Sequence, residues 1–294
     1  MSVLNLILLL AAADPDDGLA KKMLPIYTKD ASEYSIAVES DPKKALELRK
    51  DPIFEWSNPN RQRLQQGVVF LWLRDGRPAA LGCIFSQPDA RMPGRRVIHE
   101  FHALDREKLQ VNRANALNEW KPQAGLERQE IPDAGVPAAT AGARLVQMRR
   151  LAQQYTGHLI DREGKRYELR LLPTPLYRYP SAKSGVVDGA LFTLVSTEGT
   201  DPEVLLLIEA REVGGKQRWE SACGRFSNRD LYVQRNDKEV WASVLNETNT
   251  FLHDPKHLYR IYGDKVVTLE GKLLARVRVT EHSPYGENIP VEEK

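Results

Sequence analysis

The chain has 294 residues, 41% of them hydrophobic and 28% charged. That length suffices for two domains of ordinary size, each with its own core. Its 42 basic and 40 acidic side chains leave a formal charge of only +2, without the basic stripe that marks nucleic-acid binders; Arg144, Arg149 and Arg150 read as a solvated helix face.

In chain order, the first feature is an almost wholly apolar run over residues 3–10, followed by Ala11-Ala12-Ala13 and Asp14-Pro15-Asp16-Asp17. Such a run ending in small residues predicts a secretory signal peptide over residues 1–13, and therefore an exported protein, periplasmic or extracellular. The alternative is a buried first strand or helix. A membrane-spanning helix needs about 20 apolar residues, so no transmembrane segment is expected here or elsewhere.

Residues 14–120 form the first predicted unit. Leu19, Met23, Tyr27 and Tyr34 fall at roughly helical spacing, with Pro25 expected to kink or shorten the helix. A strand at residues 45–49 follows and is broken by Pro52. The runs 67–73 and 78–85 are β-rich and joined through Asp75-Gly76, a strong hairpin signal because both central residues of the turn need positive φ. A further strand spans residues 96–104. Residues 121–141 hold Pro122, Gly125, Pro132, Gly135 and Pro137 and have the composition of a linker.

Residues 142–241 form the second predicted unit. Thr140 is placed to cap a helix whose apolar face is Leu145, Met148, Leu151, Ala152 and Tyr155. Strands are expected near residues 158–161, 167–172, 190–195, 204–210 and 218–226. The uninterrupted apolar run from Val204 to Ile208 predicts burial on both faces. A hairpin at Asn236-Asp237 ends in Trp241, and residues 242–294 read as a β-rich tail, disordered from Ser283 onward.

The chain repeats a short plan. Glu47-Leu48-Arg49 and Pro52-Ile53-Phe54-Glu55-Trp56 answer to Glu168-Leu169-Arg170 and Pro175-Leu176-Tyr177-Arg178-Tyr179. Trp56 lies 11 residues before Gly67, and Tyr179 lies 10 before Gly189. The sequence therefore predicts an α+β fold: a tandem duplication of a helix followed by an antiparallel β-meander. A curved sheet wrapping one helix is the cystatin-like or NTF2-like plan, an analogy of fold that carries no function.

Chemistry is sparse. His99-Glu100-Phe101-His102 is the most concentrated polar motif, but on a strand His99 and His102 face opposite sides, so no metal site is expected; zinc needs three or four ligands. No nucleophile elbow, P-loop or dinucleotide fingerprint occurs, and no cofactor is expected. Trp56, Trp72, Tyr179 and Trp219, with His99, Glu100, His102 and Glu220, are the candidate binding residues; the aromatics line a groove or fill cores. Cys83 and Cys223 are either a disulfide or two small buried side chains. Asn246-Glu247-Thr248 matches a glycosylation sequon.

The set Pro52-Ile53-Phe54-Glu55-Trp56-Ser57-Asn58-Pro59, Gly67-Val68-Val69-Phe70-Leu71-Trp72, Gly76-Arg77-Pro78, His99-Glu100-Phe101-His102, Asp188-Gly189-Ala190-Leu191-Phe192 and Gly199-Thr200-Asp201-Pro202-Glu203-Val204 resembles a family of uncharacterised, signal-peptide-bearing secreted proteins of planctomycete-type bacteria. The resemblance runs from the first helix to Trp241. It implies export and brings no activity, cofactor or catalytic residue. The functional expectation is a non-enzymatic exported binding or interaction protein with a protein or small-molecule ligand. The alternative is a small-molecule or enzymatic pocket inside the first unit, using His99, Glu100 or His102.

Overall fold

The computed structural model describes residues 15–58, 64–181, 185–197, 199–245, 254–280 and 283–291. The expected signal peptide, the sequon at residues 246–248, His253 and His282 lie outside the described residues. Helix α1 (Pro15–Ser32) leads into β1 (Tyr34–Val38), β2 (Asp41–Ala45), β3 (Glu47–Leu48) and β4 (Phe54–Asn58). A meander follows, of β5 (Gln65–Arg74), β6 (Arg77–Pro88) and β7 (Arg95–Ala103), then β8 (Leu109–Arg113) and β9 (Gln129–Glu130). After α2 (Ala141–Ala152) come β10 (Tyr155–Ile160), β11 (Arg166–Leu171) and β12 (Tyr177–Ser181). A second meander, β13 (Val186–Ser196), β14 (Pro202–Val213) and β15 (Lys216–Arg225), precedes the hairpin β16 (Asp230–Arg235) and β17 (Lys238–Ser243). The chain ends in β18 (Tyr259–Val267), β19 (Leu273–Thr280) and β20 (Ser283–Pro290).

The strands form a three-stranded sheet, β2-β1-β8, and two large ones. The first large sheet runs β20-β19-β18-β7-β6-β5-β3, with β4 also on β5; the second runs β17-β16-β10-β11-β13-β14-β15-β9, with β12 on β13. Their inner faces pack together: Val69, Leu71, Leu81, Cys83, Phe85 and Ile98 meet Leu191, Leu205, Leu207, Ala222 and Phe226 in one core. The outer face of the first sheet (Val68, Phe70, Trp72, Phe101) packs on Met23, Tyr27 and Ala31 of α1. The outer face of the second (Phe192, Leu194, Val204, Leu206, Ile208) packs on Met148, Leu151 and Ala152 of α2. Each meander is thus covered on both faces, which is why strands such as β5 and β14 carry uninterrupted apolar runs, at residues 68–73 and 204–208, rather than alternations. Val204 to Ile208 are fully buried.

This architecture corrects the α+β duplication. Of the described residues, 55% lie in strands and 11% in helices, and the helices are two. Each helix covers the outer face of a sheet, and neither is wrapped by a sheet as the cystatin-like or NTF2-like plan requires. The matched motifs do occupy like positions, Trp56 opposite Gly67 and Tyr179 opposite Gly189. That likeness is one of local strand pairing, and it does not make two copies of a helix-plus-meander domain: the sheets differ in strand number and order. The stretch from Ser283, read as disordered, is an ordered edge strand paired with β19.

Local chemistry explains several boundaries. Asp75 and Gly76 turn the β5–β6 hairpin with φ of 49° and 81°, as two positive-φ positions demand. Thr140 accepts from the Ala143 N–H at 3.3 Å and caps α2. Pro25 lies inside α1, which continues through it. No helix among the described residues is long and apolar enough to cross a membrane.

Candidate functional site

At one end of the apolar core, the two large sheets enclose a cleft of about 770 Å³, within the range of small-molecule sites. The first sheet contributes Trp56, Cys83, Phe85, Ile98 and Glu100, and the loop after β6 adds Asp89 and Arg91. The second contributes Tyr167, Asp161 and Glu163 around the β10–β11 turn, Asp201 and Glu203 at the start of β14, and Phe226 and Arg229 after β15. Strand alternation places these groups. On β7, Ile98, Glu100 and His102 face inward, while Val97, His99 and Phe101 face α1.

The walls are polar and ordered. Tyr259 donates its hydroxyl to Glu100 at 2.6 Å. Asn58 donates to Asp201 at 2.9 Å. Arg96 bonds Asp89 at 2.8 Å and also reaches the Gly286 carbonyl. Burial pushes the Asp89 carboxyl up, but the Arg91 N–H and the Arg96 guanidinium outweigh it and hold the group below its usual range. Backbone N–H groups of Lys165 and Glu163 do the same for Asp161.

Trp56 donates its indole N–H to the Cys83 sulfur at 3.2 Å. Burial, with the charge of Glu100, pushes the Cys83 thiol far above its ordinary range. It stays protonated and is unfit as a nucleophile. His102 packs its ring over Gly224. Burial pulls its imidazole down to about 3, and its Nδ1 lies 2.8 Å from the Ala103 carbonyl, so it is neutral at ordinary pH.

The remaining candidates are dispersed. Trp72 and Trp219 fill the helix-side cores, and neither indole N–H has a hydrogen-bond partner. Tyr179 donates to Glu209 at 2.8 Å; this buried carboxylate also accepts from Arg77 and Arg128 at 2.8 and 2.9 Å. Glu220 binds Arg106 and Arg218, both at 2.8 Å. These groups belong to a structural ion network. Cys83 and Cys223 are both free, one in the core between the sheets and the other against the α2 core. Burial raises the Cys223 thiol to about 12.

His99 belongs to a different cluster, on the α1 side. Its Nε2 is 3.2 Å from Asp30 and 3.8 Å from Asp264, and its Nδ1 is 2.5 Å from the Tyr34 hydroxyl. Asp30, His99 and Asp264 bring three ligand-type atoms within 4.8 Å of one another. Each carboxylate already faces a cation, though: Lys265 bonds Asp30, and Arg113 bonds Asp264 at 2.6 Å. The charge a divalent ion would neutralise is already balanced. The cluster reads as a lock joining α1, β7, β8 and β18.

Of the eight candidate binding residues, the structure brings Trp56 and Glu100 to the cleft. The sequence reading missed Asp201 and Glu203, which sit at 6% and 1% exposure. Their signal was an acid pair immediately before an apolar run. The pocket lies between the sheets and not inside the first predicted unit. No family model, curated protein or solved structure matches the chain.

Proposed function

We propose that the protein is a non-enzymatic binding protein that holds a small polar molecule in the cleft between its two large sheets. The observation that carries this reading is the cleft itself: concave, of ligand size, and walled by aromatic faces beside hydrogen-bonded polar groups from both sheets. The protonated Cys83 thiol and the neutral, occupied His102 supply no obvious nucleophile or base. Export, suggested by the apolar run at residues 3–10, is part of the proposal and would bring the cleft into contact with extracellular or periplasmic solutes.

The test is a thermal-shift screen of small polar molecules, followed by NMR of the indole N–H groups. The expected result is a ligand that raises Tm and shifts the Trp56 resonance. It should lose its effect in Ser227→Trp, which places a bulky ring at the cleft wall. Ligands that act equally on this variant, or never reach Trp56, would refute the site.

A further inference from the structure

No further inference is drawn: the strongest candidate, the side-chain cluster of Asp30, His99 and Asp264 beneath α1, with three ligand-type atoms within 4.8 Å of one another, carries no ion site because Lys265 and Arg113 already bond its two carboxylates, so it belongs to the lock already described.

Discussion

Asp30→Asn tests the lock beneath the first sheet. The Asp30 side chain is wholly buried and faces His99 and Lys265. Burial alone would push its carboxyl up, yet the hydrogen bond and charge of His99, with Lys265, outweigh that and bring it down from 3.8 to about 2. At about 1.4 kcal/mol per pKa unit, this corresponds to roughly 2 kcal/mol of folding stability. Breaking a buried pair can cost about 3–5 kcal/mol, but Lys265 keeps 16% of its side chain in solvent and can turn outward. The expected loss is therefore about 2–3 kcal/mol at pH 7. Because the folded pKa is depressed, the contribution is present above pH 3.8 and is lost as pH falls toward 2. Urea denaturation of parent and variant at pH 7, 4 and 2.5 gives the difference directly. It should shrink across that series. A difference below about 0.5 kcal/mol at pH 7, the range of ordinary surface substitutions, would refute the reasoning, as would one that stays constant down to pH 2.5.

Three further outcomes are expected. Glu209→Gln leaves Arg77 and Arg128 around a neutral amide and should lower stability by about 3–5 kcal/mol in urea melts; a neutral result would mean that the network relaxes into solvent. Gly189→Ala places a Cβ about 2.5 Å from the Tyr179 ring, so it should cost about 1–3 kcal/mol by overpacking, with a shifted Tyr179 environment in near-UV circular dichroism. Buried Cys83 and half-buried Cys223 should both resist a thiol reagent in the native protein and both react after unfolding, given their packing and raised thiol values; rapid native labelling of either would contradict the packing described.

What could be read in the sequence was local. The Asp75-Gly76 turn, the Thr140 cap and the double burial of Val204 to Ile208 follow from steric rules and short patterns. The alternation that sends His99 and His102 to opposite faces of β7 did too. The repeated motifs were misleading because a short strand flanking a long one is a local pairing that two different sheets can share. Long-range pairing leaves no such trace: nothing in the residues around Tyr259 announces that they face His102. The cleft was hidden for the same reason. Glu100 reads as an ordinary strand acid until Glu203 and Asp201, a hundred residues later, are placed opposite it.

The pairing of β18 with β7 has a consequence for biogenesis. When β7 leaves the ribosome its outer edge has no partner, because β18 lies more than 150 residues further on. At about 5–20 residues per second, that edge waits roughly 8–30 s. An unpaired, apolar strand edge is a template for joining another chain. A nascent-chain holdase would cover that interval. Among the described strands, β18, β19 and β20, which complete the first sheet, follow every strand of the second.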